Sequence, residues 1–278
     1  MTNKILVLGA TGNIGKPLTD ALVAKGERVK AASRTGKAVA GGESVVFDFT
    51  DLSTIDNAFE GVDRVYVMVP TGHIDVVSLV TPVLDAAIKK GVKIVLQSVL
   101  GVDADDSIPY RQLELKVERS GVPFVILRPN WFSDNFHTFW LAGIKQGVIA
   151  VPAAQGKSSF IDVRDIAESA AAALSSTKFD GNAFNLTGPE ALSYADAAEK
   201  LSKASGHTIQ YQAIDDDTFV GILTGVGVPK DYASFLASIF YPVREGWTAL
   251  TTNAVETLTG HAPRALQTYI DDHIALFK

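Results

Sequence analysis

Three glycines at regular spacing, Gly9-x-x-Gly12-x-x-Gly15, follow the apolar run KILVL at residues 4–8. Each has a separate use where a strand gives way to a helix. Gly9 takes the tight turn, Gly12 lets the main chain approach a pyrophosphate, and Gly15 lets the helix pack closely on the strand. The N–H groups and the positive dipole end of that helix then face the anion. A glycine triplet alone is weak, but a strand before it and a helix after it form the context that a dinucleotide loop requires. Gly9, Thr11, Gly12, Asn13, Ile14 and Gly15 are therefore the expected pyrophosphate-binding residues. An ordinary glycine-rich turn is the plainer alternative.

The second strand bears on which nucleotide fits. A loop that holds a free ribose 2′-hydroxyl carries Asp or Glu about 20 residues further on. This chain has AASRTGK at 31–37 instead, with Ser33 and Arg34 in that place and no carboxylate. A guanidinium pairs well with phosphate. Ser33 and Arg34 are thus expected to select the 2′-phosphate of NADPH or NADP, with NADH less favoured. A plain surface Arg is the alternative, and Lys37 lies in a loop that the pattern does not place.

Those residues need a scaffold. Strands are expected at 4–10, 28–34, 44–49, 64–70, 93–99 and 123–129, with helices at 14–26, 52–61, 76–91 and 110–121. Continuous Val/Ile/Leu runs alternating with amphipathic helices describe a parallel sheet covered on both faces. The fold class is α/β, a Rossmann-type doubly wound parallel sheet with helices on both faces. After residue 130 the rhythm loosens. A helix is expected at 162–176, a strand at 182–188, a helix at 193–206 opened by a Ser193 cap, and an edge strand at 208–214. The stretch 215–250 holds the aromatic clusters YASF and IFYP without a clear period. It is read as part of a small C-terminal α/β substrate lobe. The expected division is 1–150, with a returning segment near 160–190, and 191–278 as the smaller lobe packed on the first.

Composition narrows the classes. A formal charge of −6 argues against a general phosphate-backbone binder, so no nucleic-acid partner is expected. With no cysteine, disulfides, thiolate metal sites and cysteine nucleophiles are excluded. The histidines at 73, 137, 207, 261 and 273 form no i, i+4 pair, so no metal is expected. No apolar run approaches the roughly 18 residues of a membrane span, and MTNKILVLGATG reads as a first strand, not a signal peptide. A cytoplasmic protein without a membrane partner is expected, as a monomer or a homodimer. The segment G-x-S-x-G is absent, and the glycine loop lacks the lysine of a P-loop.

The segments GATGNIG, SRTG, QSV, SGVPFVILRPNWFSDNF, FIDVRDIA and NLTGPEALSYADAA together resemble the NmrA-like group of atypical short-chain dehydrogenase/reductases. That group includes NAD(P)H:quinone oxidoreductase and triphenylmethane reductase proteins, and the resemblance runs nearly the full length. It implies a Rossmann domain, a small C-terminal lobe, a substrate cleft between them, and NADPH on the glycine loop. It implies that Asp48 contacts adenine, with Phe49 beside it. Val69 and Pro70 end the fourth strand near the expected nicotinamide ribose, as wall residues or as turn residues.

The short-chain reductases that this chain resembles use Ser, Tyr and Lys, the last two as Y-x-x-x-K, with Tyr as acid or base and Lys lowering its pKa. Ser98 and Tyr110 fit the order of the first pair, but Glu114 stands four residues after Tyr110. Lys116 faces another side of the helix, so the triad is broken. A Tyr without a neighbouring cation keeps a pKa near ~10. Tyr110, with Ser98, is expected to orient the acceptor's heteroatom; a helix-start surface aromatic is the alternative for Tyr110. Quinones, cationic dyes and iminium ions need little acid help, because positioning against the nicotinamide C4 supplies most of the acceleration. Asn130, Trp131, Phe132 and Phe136, with Tyr241 from the lobe, form either a substrate pocket or an aromatic core. His137, Phe139 and Trp247 are of the same kind. The expected enzyme is an NADPH-dependent reductase of a small-molecule acceptor that is quinone-, enone-, imine- or dye-like. Its rival is a non-catalytic NADP(H) sensor of NmrA type.

Overall fold

In the computed structural model, which describes residues 3–278, the apolar runs become strands because both of their faces are covered. The strands are β1 (Lys4–Leu8), β2 (Val29–Ser33), β3 (Gly42–Val46), β4 (Val62–Val67), β5 (Lys93–Gln97), β6 (Phe124–Pro129), β7 (Val148–Val151), β8 (Lys157–Ser158), β9 (Asn182–Leu186), β10 (Leu192–Ser193) and β11 (Gln210–Ala213). Seven of them form one sheet in the order β3-β2-β1-β4-β5-β6-β9, and every neighbouring pair is parallel. The order reverses between β1 and β4. Such a switch point opens a crevice beyond the carboxyl ends of the strands.

Helices α1 (Gly15–Ala24), α2 (Ile55–Ala58), α3 (Val76–Lys89), α4 (Pro109–Glu118), α5 (Leu141–Lys145), α6 (Val163–Ser175) and α7 (Tyr194–Ser205) follow in chain order. Strand residues alternate between two faces. Leu6, Leu8, Val65, Val67, Ile94 and Leu96 pack with Val80, Val83 and Leu84 of α3 and with Leu113 and Val117 of α4. The intervening Ile5, Val7, Tyr66 and Val95 are buried completely, and α1 and α6 pack against β1, β4 and β5.

Two compact units result. One runs to Pro129 and takes in Val163–Leu186 and Ala254–His261. The other comprises Asn130–Asp162, Thr187–Asn253 and Ala262–Lys278. The division falls after Pro129, not near 150, because Phe136, Ile144, Ile149 and Val151 join a core with Phe160, Tyr194 and Phe240. In this second unit β7 pairs in parallel with β11 and β8 antiparallel with β10. The stretch from 216 is helical, as α8 (Asp216–Gly225), α9 (Lys230–Ser238) and α10 (Tyr241–Arg244). The expected third strand stops early because Asp48 turns the chain: its Oδ1 accepts from Thr50 N at 2.9 Å. The expected helix at 52–61 is a 3-10 turn followed by the single turn of α2.

Candidate active site

The glycine loop is built as the spacing requires. Gly9 has φ +69°, a conformation that a side chain strains. A Cβ on Gly15 would lie 2.1 Å from Gly9 O, so α1 begins with its main chain against that carbonyl. A Cβ on Gly12 would meet the same oxygen at 3.2 Å. Gly12 N donates to Gly9 O at 2.9 Å and Ala10 N to Ala32 O at 2.9 Å. Among the described residues, nothing accepts from the amides of Thr11, Asn13, Ile14 or Gly15. Four donors thus surround the start of a helix with no side chain to fill the concavity. That donor set fits a pyrophosphate.

At the end of β2, Arg34 is exposed, while Ser33 is buried and its Oγ accepts from Lys37 N at 3.1 Å. Ser33 shapes the turn that carries Arg34. At the end of β3, two hydrogen bonds from Thr50 hold the Asp48 carboxyl below the usual carboxylate range, assisted by the charges of Arg34 and His73. Both bonds end on Oδ1. Phe49 stacks edge-on against Phe47 with centroids 4.9 Å apart. Val69 and Pro70 are half-buried after β4, and Val69 packs on the core of the sheet.

The end of β5 departs from expectation. Ser98 is buried, and its hydroxyl lies by Glu114, whose pKa it helps to lower without closing a well-formed hydrogen bond. Glu114 is itself fully buried. Arg128 donates to it through Nε at 2.8 Å and Nη2 at 2.7 Å, and Arg111 through Nη1 at 2.9 Å. Burial pushes the Glu114 carboxyl up, but Arg128, Ser98 and Arg111 outweigh that and hold it below the usual range. The residue in the lysine's place is thus an internal ion pair. The Ser98 hydroxyl, buried beside that network, has no hydrogen-bond partner of its own. Lys116 pairs with Asp85 at 2.6 Å. Tyr110 is half-buried and packs on the cluster that includes Leu113 and Val117. Tyr66, fully buried on β4, donates its hydroxyl to Gln97 Oε1.

In the second unit, Asn130 is a buried brace and not a pocket wall. Its Nδ2 donates to Ser159 Oγ and to Thr248 O, both at 2.7 Å, and its Oδ1 accepts from Trp131 N at 2.9 Å. Phe136 is wholly buried against Trp140 and Phe160, so it belongs to the core. Trp131 is half-buried on Phe240, and Phe132 is half-buried beside the bridge to Ile161. His137 bonds to Tyr269. Tyr241 and Trp247 are exposed, edge to face, with centroids 5.6 Å apart. Phe139 is exposed as well.

One histidine is less isolated than its spacing suggests. His261 Nε2 lies 2.5 Å from Glu168 Oε2, and Asp165 brings a third ligand-type atom within 4.8 Å. All three residues have further partners.

Residues 1–249 match the model of the NmrA-like family. The chain belongs to that family. Across 98% of its length it is 33% identical to the uncharacterized oxidoreductase YesF of Bacillus subtilis, covering 96% of that protein. It is similar to the structure of an NADPH-dependent quinone oxidoreductase of Escherichia coli complexed with NADPH. There the TM-score is 0.85 at 25% identity, over 97% of this chain and 99% of the other. It shares its fold with the Citrobacter triphenylmethane reductase complexed with NADP(H), at TM-score 0.81 and 22% identity over 95% and 98% of the two chains. This NmrA-like protein is an NAD(P)H-dependent oxidoreductase. Among its described residues, no helix is long and apolar enough to cross a membrane.

Sequence reasoning missed the Arg128–Glu114 lock and the Tyr66–Gln97 pair in this family member. A visible signal existed for each: an Arg inside the apolar run FVILRP, and a Tyr inside RVYVMV.

Proposed function

We propose that this protein reduces a small, electron-poor acceptor with NADPH in preference to NADH. The acceptor is a quinone-, enone-, imine- or dye-like molecule. The observation that carries the nucleotide half is the bare cradle at Gly9–Gly15, with exposed Arg34 at the end of the neighbouring strand. The amides of Thr11, Asn13, Ile14 and Gly15 hold the pyrophosphate. Arg34 takes the 2′-phosphate, on a turn that Ser33 shapes. Asp48 offers Oδ2 to the adenosine, with Phe49 beside it, and Val69 and Pro70 flank the nicotinamide ribose.

Reduced nicotinamide supplies hydride when bound. The chain's own contribution is position and exclusion of water. The lysine's place in the motif is taken by Glu114, which is locked to Arg128, and Lys116 pairs with Asp85, so the chain lacks the Tyr–Lys acid of the short-chain reductases. Tyr110 therefore acts as a hydrogen-bond donor to the acceptor's oxygen or nitrogen. Acceptors whose charge is neutralised or delocalised on reduction suit that arrangement.

The test is loss of the reduced-nicotinamide absorbance with quinones, enones, cyclic imines and triphenylmethane dyes, using NADPH and NADH in parallel. Turnover with one class, faster with NADPH, is the expected result. Tight binding of NADPH with no turnover on any acceptor would replace this reading with a redox sensor.

A further inference from the structure

The pair Tyr66–Gln97 has no part in the activity described so far. Tyr66 lies in the middle of β4, completely buried. A phenol there is expensive compared with Phe, because its hydroxyl leaves water and must find an acceptor. Its acceptor is Gln97 Oε1, on the last residue of β5. Burial pushes the Tyr66 pKa up, so the phenol keeps its proton and stays a donor. Among the described residues the phenol has no other acceptor for its proton, so Gln97 Oε1 takes it, which fixes the orientation of the amide: Nε2 and its two hydrogens point elsewhere. Gln97 is half-buried. Among the described residues, no protein group accepts from Nε2. Nor is Nε2 among the buried polar atoms left without a partner, so it reaches solvent.

The sheet order says which part of a dinucleotide lies there. The pyrophosphate loop follows β1, and Arg34 and Asp48 follow β2 and β3 on one side of it. The adenosine half extends to that side. Strands β4 and β5 lie on the other side of β1, so their carboxyl ends face the nicotinamide half. Gln97 ends β5.

Resting on the nucleotide assignment above, we infer that Gln97 is a cofactor-binding residue whose Nε2 donates to the nicotinamide–ribose half of NADPH, with Tyr66 as the positioning residue that aims it. The pair supplies a neutral, oriented donor at the end of β5. A half-buried Met at position 97 keeps the packing and removes the donors. A Phe at position 66 keeps the ring and lets the amide turn over.

The test is calorimetric binding of NADPH and of adenosine 2′,5′-bisphosphate, which has no nicotinamide half, to wild type, Gln97→Met and Tyr66→Phe. Wild type binds both probes. Gln97→Met weakens NADPH about tenfold, the loss of one to two good hydrogen bonds, and leaves the bisphosphate unchanged. Tyr66→Phe shows the same selectivity at roughly threefold, since the amide is then free to present either end. Unchanged bisphosphate binding also shows that each variant retains the folded cradle. Unchanged NADPH affinity in Gln97→Met overturns the inference, and so does an equal loss for both probes. Failure of wild type to bind either probe overturns the nucleotide assignment itself and this inference with it.

Discussion

Restoring the lysine of Y-x-x-x-K by Glu114→Lys is the substitution that a motif-based repair would choose. The structure predicts that it damages the fold and gains no acid catalysis. Glu114 is fully buried and receives three guanidinium hydrogen bonds, from Arg128 at 2.8 and 2.7 Å and from Arg111 at 2.9 Å. Lysine would place a third cation against two others, out of contact with water. Removing one partner of a buried ion pair costs about 3–5 kcal/mol. For a chain of this size that corresponds to a melting temperature lower by roughly 10 °C. Glu114→Gln keeps an acceptor for Arg128 and loses the charge, so its melting point falls between those of wild type and Glu114→Lys. Thermal unfolding followed by circular dichroism ranks the three, and acceptor reduction by each is measured below its own transition. Melting of Glu114→Lys within about 2 °C of wild type, or a rise in kcat, would refute the assignment of Glu114 to the internal network.

Four further outcomes are expected. Arg34→Ala raises KM for NADPH about 10–100-fold, the loss of one charge-assisted phosphate contact, and leaves KM for NADH near its starting value in steady-state assays. Gly15→Ala, whose Cβ would sit 2.1 Å from Gly9 O, abolishes NADPH binding in a fluorescence titration; retained affinity would mean that the loop is looser than described. The Glu114 carboxyl is held down in the folded state. Its stabilisation is therefore present above the unfolded value, about 4.3, and is lost as pH falls through the folded value. Denaturant titrations across that window should show a shallower pH slope for Glu114→Gln. Phe136→Ala, at a fully buried site between Trp140 and Phe160, destabilises by about 3–5 kcal/mol in the same titrations.

Features written into consecutive residues were legible in the chain. Ser193 was readable as a helix start, and its side chain and that of Asp196 bond each other's backbone N–H groups. Gly206 closes the same helix at φ +81°. The glycine cradle and the six Rossmann strands depend on runs of five or so residues, so they too were readable. What escaped depends on distant partners. The motif at 110–114 records the loss of a lysine, yet the meaning of Glu114 comes from Arg128, on the next strand. Asn130 looked like a pocket residue because it follows a strand end. It became a brace only through Ser159 and Thr248. Strand β11 was legible in the alternation at 208–214, but its partner β7 is four residues long and lies far away in sequence, so the pair was not. The third strand was read too long because Phe47 and Phe49 look like strand residues, while Asp48 uses its side chain to turn the chain.

The Asn130 brace has a consequence for how this protein can change. Asn130 and Ser159 grip the segment 248–250 by main-chain oxygens, Thr248 O at 2.7 Å and Leu250 O at 2.6 Å. Thr248 adds a side-chain bond to Lys157 O at 2.7 Å. The segment's path thus hardly depends on the side chains at 247 and 250, which both stand in solvent. Those two positions are interchangeable facings on a fixed mount. Their residues can be replaced in a library without retuning the fold, so selection can alter that surface in single steps.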